Sequence, residues 1–106
     1  MTLATKRCEP CEVGTPPLPK EEAARLGKEI SEWRLKEKSI EREFKFKNFQ
    51  EAIDFVNEVA VLAEQENHHP DIRISYNRVR LELMTHKIGG LSNNDFILAA
   101  KIEELL

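Results

Sequence analysis

The three histidines are the residues of this chain best suited to chemistry, and all of them lie in one short part of the sequence. His68 and His69 are adjacent, with Pro70 directly after them, and His86 follows further along. An unperturbed imidazole has a pKa near ~6.5, so it can both donate and accept a proton at neutral pH. Grouped histidines therefore indicate acid–base chemistry, provided that the fold brings them to one place.

The residue types around the histidines leave three interpretations open. In the first, Glu64 stands four residues before His68 on the same helix face and orients that imidazole for acid–base work. In the second, Glu64, His68 and His86 hold zinc, although no familiar metal spacing is present. In the third, the histidines merely finish a helix and a strand. Nucleophilic catalysis is disfavoured, because no serine or cysteine is placed to pair with a histidine.

The elements of the first half of the chain must position His68 and His69. Apolar residues at helical spacing predict a helix that begins at Pro19. Alternating residues predict two strands, at residues 33 to 37 and 39 to 46, joined by a hairpin. Asn48 can cap a second helix that runs to about Asn67. The histidine pair is thus predicted to follow directly on the second helix.

The second helix also carries an unusually wide apolar arc. One apolar stripe is widened by a second set of residues to about half the circumference, whereas a helix of a small monomer needs a stripe of only ~100°. The excess predicts a second burial surface and hence an oligomer. Pro70 disfavours helical geometry at His69, so we expect the helix to stop there. The predicted stripe and the residues that widen it are Phe49, Ile53, Val56, Ala60 and Ala63, with Phe55, Val59 and Leu62.

The second half of the chain must position His86. Alternating residues at 72 to 76 and 79 to 83 predict two more strands, with a hairpin link around Asn77. Ser92 and Asp95 have the i, i+3 spacing of a cap at the start of a last helix. The order αββαββα predicts an α+β fold, with a four-stranded antiparallel sheet and three helices packed on one face. The end of the fourth strand could then approach the end of the second helix, so that three imidazoles surround one pocket.

Length, charge and hydropathy predict one small domain with a preceding arm. The chain has 106 residues and a net charge of −3, which offers no electrostatic footprint for direct nucleic-acid binding. No apolar run approaches the ~18 residues of a membrane helix, and the start lacks the apolar stretch of a signal peptide. We therefore expect a cytoplasmic protein without a membrane partner. The prolines predict an irregular arm over residues 1 to 18 and a single domain over residues 19 to 106.

The arm contains the two cysteines of the chain, Cys8 and Cys11, in a C-x-x-C spacing. One such pair supplies only two of the four ligands of a structural zinc site, and a Pro-rich arm is not the strand-to-helix junction of a thioredoxin-like motif. Reduced surface thiols are one interpretation. Half of a metal or redox site, completed by another subunit or partner, is the other.

The spacing of the chemistry-bearing residues resembles a known family. Their order is Glu64, three residues, His68-His69-Pro70, five residues, Tyr76, nine residues, His86, eight residues and Asp95. The flanking segments FKFKNFQEAIDFVNEVAVLAE and THKIGGLSNNDFILAAKIEEL agree with it. Together they resemble the pterin-4a-carbinolamine dehydratases over about residues 19 to 106. Tyr76 and Asp95 belong to the motif, but we interpret Tyr76 as a residue on a strand face and Asp95 as a helix cap.

The resemblance implies a reaction and a set of partners. The reaction is dehydration of 4a-hydroxytetrahydropterin to quinonoid dihydropterin by a hydro-lyase, a step in recycling the pterin cofactor of aromatic amino acid hydroxylases. It implies no metal and no organic cofactor, and a homodimer or homotetramer of the α+β fold above. A rival function is a non-catalytic interaction module, which assists a pterin- or molybdopterin-dependent enzyme or a transcription factor.

The resemblance also implies the roles of individual residues. His68, His69 and His86 would be catalytic, with His68 and His86 as the principal acid–base pair and His69 binding and polarising the pterin. The chain departs from some animal members at Asn67, where they carry aspartate, and at 93 and 94, where they carry a charged pair. The implied substrate-binding residues are Glu64, Asn67, Met84, Thr85, Lys87 and Trp33.

Overall fold

The computed structural model describes residues 3 to 10 and 12 to 106. Short 3-10 turns lie at Leu3–Thr5, Lys28–Ile30 and His86–Ile88. The helices are α1 (Lys20–Gly27), α2 (Phe49–Glu66) and α3 (Asn93–Glu103). The strands are β1 (Arg34–Leu35), β2 (Ile40–Lys45), β3 (Asp71–Ser75) and β4 (Arg78–Leu83).

The four strands form one antiparallel sheet in the order β1-β2-β4-β3. Two hairpins, β1–β2 and β3–β4, meet where β2 pairs with β4. The predicted α+β fold with its αββαββα order is therefore confirmed. Because β4 lies at the centre of the sheet, the residues that follow it leave the sheet next to the elements that cover its apolar face.

The core lies on one face of the sheet, as the alternation of β2 predicts. Ile40 and Phe44 of β2 pair with Leu83 and Val79 of β4, and all four side chains are buried. The helices cover this face, and Phe96 of α3 is fully buried in the same core. The other face carries charged residues such as Glu43, which pairs ionically with Arg78 and Arg80. This clear difference between the faces fixes the strand register, since a slip by one residue would bury the charges.

The ends of α2 are set by two asparagines. Asn48 has extended geometry, and its Oδ1 accepts a hydrogen bond from the N–H of Glu51 at 2.9 Å. Asn67 adopts the left-handed conformation (φ 52°), which asparagine tolerates better than most residues, and the N–H of His68 returns to the carbonyl of Ala63 at 3.1 Å. The prediction that Pro70 stops the helix at His69 is thus wrong in its cause and its position. The helix ends at Glu66, and Asn67 redirects the chain.

Two other details differ from the sequence-based predictions. Tyr76 is not on a strand face: it lies in the two-residue turn after β3, with φ 53°, and its side chain is 66% exposed. The buried stripe of α2 is Ala52, Phe55, Val59 and Ala63, while Phe49 is 49% exposed. A regular apolar periodicity cannot by itself say which part of a wide arc faces the sheet.

The arm packs along α3 and the neighbouring loop. Leu3 is buried in the core, and the ammonium group of Lys101 donates a hydrogen bond to the carbonyl of Ala4 at 2.9 Å. Further on, the N–H of Leu18 donates to the carbonyl of Leu91 at 2.9 Å. Within the described part of the chain, no helix combines the length and apolar character needed to cross a membrane.

Candidate functional site

The three histidines line one cleft of about 240 Å³ at the point where α2 ends and β4 leaves the sheet. The Asn67 turn brings His68 and His69 to the cleft, and the 3-10 turn after β4 brings His86. The end of α2 and the end of β4 therefore lie at the same cleft, as the sequence predicted. The remaining lining residues are Glu9, Pro10, Asn67, Met84, Thr85, Lys87 and Asn94.

His68 is held by a carboxylate from the first turn of α3. Its Nε2 lies 2.6 Å from Oδ1 of Asp95, a carboxylate that is completely buried. The second oxygen of Asp95 accepts hydrogen bonds from the Oγ1 of Thr85 at 3.0 Å and from the N–H of Ser92 at 2.9 Å. A carboxylate on one ring nitrogen fixes the orientation of an imidazole and leaves its other nitrogen for a ligand. Asp95 is thus both the predicted cap of α3 and a positioning residue for His68.

Glu64 contacts a different histidine from the one expected. Its Oε2 lies 2.5 Å from Nε2 of His69, and both side chains are more than half exposed. The expectation that Glu64 orients His68 is therefore not met, because the chain reverses at Asn67 and the regular i, i+4 helical relationship ends before His68. Glu64 is also not among the described residues that line the cleft.

His86 lines the same cleft from a different element, the 3-10 turn that follows β4. Its imidazole is exposed and makes no hydrogen bond within residues 3 to 10 and 12 to 106. The turn is closed by Thr85 and Gly90, whose main chains form an antiparallel bridge with the Thr85 N–H donating at 2.8 Å. Gly89 has a positive φ of 65°, which favours glycine there. His86 is therefore held by its backbone, and its ring stays available to a ligand.

Trp33 is not brought to the histidine cleft. Its side chain is 5% exposed and packs edge-on to Phe44, with ring centroids 6.0 Å apart. Its Nε1 is buried without a hydrogen-bond partner in the described part of the chain. The structure therefore places Trp33 in the core beneath β2 and not in the wall of the cleft.

Sequence reasoning missed the contribution of the arm. Glu9 and Pro10 line the cleft, and they also line a larger cavity of about 660 Å³. Asn94 fixes this wall, since its Oδ1 accepts from the N–H of Glu9 at 2.9 Å and its Nδ2 donates to the carbonyl of Glu9 at 2.5 Å. A Pro-rich segment without periodicity carries no signal of where it will pack, so nothing in the sequence indicated this contact.

Cys8, next to Glu9, is held as a neutral thiol. Burial, with the negative charge of Glu66 close by, raises the pKa of Cys8 to about 12. The Sγ of Cys8 donates to the carbonyl of Asn94 at 3.6 Å, and its N–H donates to Oε1 of Glu66 at 2.9 Å. Cys11, the other half of the C-x-x-C spacing, lies outside the described residues. Cys8 by itself is therefore a poor nucleophile at neutral pH.

No group of three or more histidine, cysteine, aspartate or glutamate side chains within residues 3 to 10 and 12 to 106 is arranged to hold a metal ion. Among the three residues considered for zinc, Glu64 pairs with His69, and His68 pairs with Asp95. What the arrangement offers chemically is two imidazoles in one cleft, His68 oriented by a buried carboxylate and His86 without a partner among the residues that the structure describes. Such a pair suits proton transfer to and from one bound molecule.

These features define a class of small α+β domain in which two histidines after the second helix and one after the fourth strand line a single cleft. The sequence matches the family described as pterin 4 alpha carbinolamine dehydratase over residues 16–105, and the chain belongs to this family. At the level of the family, this supports a dehydratase, that is, a hydro-lyase.

Several relatives match nearly the whole chain. A Nitrosomonas eutropha protein, provisionally named pterin-4-alpha-carbinolamine dehydratase, is 52% identical over 105 residues, which cover 98% of this chain and 93% of the relative. A Rubrobacter xylanophilus protein with the same provisional name is 48% identical over 104 residues, with 97% of each chain covered.

Solved structures agree on the fold. The transcriptional coactivator/pterin dehydratase from Brucella melitensis superposes with a TM-score of 0.80 at 32% identity, over 84% of this chain and 97% of its own. A pterin dehydratase-like protein described as a RuBisCO assembly factor of the alpha-carboxysome superposes with a TM-score of 0.58 at 20% identity, over 69% of this chain and 84% of its own. The second likeness concerns the fold alone.

Proposed function

We propose that the protein dehydrates 4a-hydroxytetrahydropterin to quinonoid dihydropterin, with His68 and His86 as the acid–base pair and His69 as a pterin-binding residue. Water leaves when the bond between C4a and its hydroxyl oxygen breaks, while a ring nitrogen loses its proton and forms a double bond to that carbon. The hydroxyl gains one proton and the nitrogen loses one, so no redox partner is needed. Each proton transfer by a placed side chain contributes about 10² to 10⁴-fold.

The observation that supports this proposal most is the arrangement of the two imidazoles. His68 and His86 line one cleft from different elements, and the buried carboxylate of Asp95 fixes the ring of His68. A molecule bound in this cleft would have a proton donor and a proton acceptor among the lining residues. The family to which the chain belongs supports a pterin as that molecule.

The experiment is stopped-flow absorbance of the decay of a 4a-carbinolamine, with the wild type and with His68→Ala, His69→Ala and His86→Ala. We expect the wild type to accelerate the decay and the His68 and His86 variants to lose about 10²-fold or more of the turnover number. Asn57→Ala, at an exposed position of α2, is the control that should leave turnover unchanged. Full turnover in all three histidine variants would show that the histidines are structural.

We propose a homo-oligomer, a dimer or a tetramer, as the assembled form. Apolar side chains remain exposed on α2 and on the edge strand: Phe49 is 49% exposed, Val61 59% and Ile74 41%. Ile74 lies on the same sheet face as the core, beside Val79, so this face continues beyond the helices that cover it. Sedimentation equilibrium tests the proposal, and a monomer at micromolar concentration would contradict it.

A second candidate function is an interaction module without catalysis. The Brucella melitensis neighbour is described as a transcriptional coactivator as well as a pterin dehydratase, and the exposed apolar residues of this chain could serve a partner equally well. Together with the catalytic function, and not with this second candidate, we propose a cytoplasmic location and a place in the pathway of the aromatic amino acid hydroxylases. Loss of the cellular role in the His86→Ala variant would favour the enzyme, and its retention would favour the module.

A further inference from the structure

The arm contributes an acidic residue to the histidine cleft without using that residue's side chain to attach itself. Glu9 is held through its main chain, whose N–H and carbonyl both bond to the side chain of Asn94. The neighbouring N–H of Cys8 donates to Glu66 at the end of α2. The arm is thus tied to both α2 and α3, and the Glu9 carboxylate takes no part in these ties.

The Glu9 carboxylate is available to a ligand. The residue is exposed, and its carboxylate makes no hydrogen bond or ion pair to any other residue in the described part of the chain. Among the described lining residues it is also the one that carries a carboxylate, since Asp95 lies buried behind His68 and Glu64 lies outside the lining. A bound molecule with hydrogen-bond donors along one edge would therefore find a negatively charged acceptor for them in the Glu9 carboxylate.

The chemistry of a pterin supplies such an edge. Its pyrimidine ring carries a ring N–H next to an exocyclic amino group, and these two donors point in the same direction. A carboxylate has two acceptor oxygens at a matching separation and accepts two parallel hydrogen bonds, as it does from arginine. Lys87, a cation among the described lining residues, cannot accept hydrogen bonds from these donors.

The size of the cleft is consistent with this orientation. About 240 Å³ lies below the usual range of roughly 300 to 1,000 Å³ for drug-sized ligands, so the cleft suits a bicyclic ring with its substituent outside. We propose that the Glu9 carboxylate is a substrate-binding group that accepts hydrogen bonds from the amino–imino edge of the pterin ring. This inference rests on the proposed function, because it assigns the same cleft to the same class of substrate.

The test compares two stable ligands that differ at this edge, namely pterin and lumazine, which has an oxygen in place of the amino group. Glu9→Gln keeps the size of the side chain and the main-chain ties but leaves only one acceptor oxygen, so that an amide N–H faces one of the two donors. We expect the dissociation constant of pterin to rise about tenfold or more, and that of lumazine to stay within about twofold. The KM for the carbinolamine should rise with little change in kcat. Glu12→Gln, an exposed arm residue outside the cleft lining, is the matched control and should change neither constant.

Each other outcome contradicts the inference in a distinguishable way. If wild type dehydrates the carbinolamine and Glu9→Gln binds pterin as tightly as wild type, the carboxylate does not bind the ring and the proposed function stands. If the variant loses pterin and lumazine equally, Glu9 shapes the wall and does not recognise the edge. If wild type neither binds pterin nor accelerates dehydration, the proposed function and this inference both fail.

Discussion

Nε2 of His68 lies 2.6 Å from Oδ1 of Asp95, and this contact joins the end of α2 to the start of α3. Asp95 is buried completely, and each of its oxygens has a partner: His68 on one, and Thr85 with Ser92 on the other. The helix cap and the orientation of the imidazole are therefore one structure. A change at Asp95 affects the fold and the site together, so the two effects have to be separated by measurement.

Asp95→Asn should lower kcat by about 10²-fold or more and change KM less. The amide has the same shape but only one acceptor oxygen, so one of the sides that now faces His68 or Ser92 would present an N–H. The free energy of unfolding should also fall, by about 1 to 3 kcal/mol, because a buried polar contact is lost. Stopped-flow turnover and urea unfolding measure the two effects on the same preparation.

Ser92→Ala tests the cap of α3 separately from the contact between Asp95 and His68. It removes the hydroxyl that lies 2.7 Å from Oγ1 of Thr85 but leaves the carboxylate of Asp95 and its contact with His68 in place. We expect a loss of about 1 kcal/mol in the free energy of unfolding and a kcat within a few-fold of wild type. Equal losses of turnover in Ser92→Ala and Asp95→Asn would mean that the fold, and not the orientation of His68, limits the reaction.

Glu64→Gln should have a much smaller effect than Asp95→Asn. The Glu64 and His69 side chains are 78% and 54% exposed, and exposed ion pairs contribute about 0 to 1 kcal/mol. We expect the free energy of unfolding to change within that range and kcat to fall less than tenfold. The check is to measure kcat in 0.05 M and in 0.5 M salt, because solvent screening already weakens the ion pair between Glu64 and His69. A kcat loss as large as that of Asp95→Asn would place Glu64 in the proton-transfer machinery.

The sequence predicted the parts of the molecule that depend on periodicity. The alternation of Ile40 and Phe44 determines which face of β2 is buried, and Asn48 marks the start of α2, because both signals are local. The two hairpins follow from short links between strands. The meeting of the histidines at one cleft followed from the order of these elements, as each histidine stands at the end of an element.

The sequence could not predict the parts that depend on long-range contacts. Asp95 is 27 residues from His68, and its spacing from Ser92 was sufficient to explain it as a cap. Glu64 had a regular helical relationship to His68, which the left-handed Asn67 broke. Glu9 lies in a segment without pattern, and its contact with the site is made by the side chain of Asn94. In each case, the partner of a residue is set by a tertiary contact that no local pattern encodes.

Cys8 should react slowly with alkylating reagents. Its pKa of about 12, against 9.0 for an ordinary thiol, leaves a thiolate fraction at pH 8 that is about a thousandfold smaller. The folded protein keeps a proton that the unfolded chain loses above pH 9, so this contribution to stability is complete below pH 9 and declines as the pH rises toward 12. Iodoacetamide labelling in a Cys11→Ser background measures Cys8 alone. In that background Glu66→Gln should speed the labelling, and a Cys8 labelling rate equal to that of free cysteine would contradict the burial.

Ser39→Ala should destabilise the protein at neutral pH and matter less in acid. The hydroxyl of Ser39 donates to Oε2 of Glu82 at 2.7 Å and, together with Lys36, lowers the pKa of Glu82. A lowered carboxyl pKa contributes stability above the unfolded value of 4.5 that is lost as the pH falls through the folded value. We expect a deficit of about 1 kcal/mol at pH 7 that shrinks below pH 4.5. Urea unfolding at both pH values is the measurement, with Lys38→Ala, an exposed neighbour, as the control that should show no such dependence.

Gly90→Ala should disturb the site through the arm. A Cβ at residue 90 would lie 2.9 Å from Cβ and 3.1 Å from Cγ of Pro17, and a proline ring cannot swing aside as a flexible side chain can. The same Gly90 bridges to Thr85, directly before His86, so the strain should reach the wall of the cleft. We expect a loss of about 1 to 3 kcal/mol in the free energy of unfolding, together with slower dehydration.

Gly27→Ala is the matched control for this substitution. Apart from its chain neighbours and its own helix backbone, no atom of the described residues lies within 4 Å of a Cβ built at Gly27, which has helical φ and ψ at the end of α1. Alanine there should therefore be neutral or stabilise by up to about 1 kcal/mol. Replacing Pro17 by glycine in the Gly90→Ala background removes the clashing ring and should restore part of the lost turnover. If Gly90→Ala unfolds at the wild-type urea concentration and turns over at the wild-type rate, the arm does not press on the His86 turn, and the contact between Pro17 and Gly90 has no bearing on the reaction.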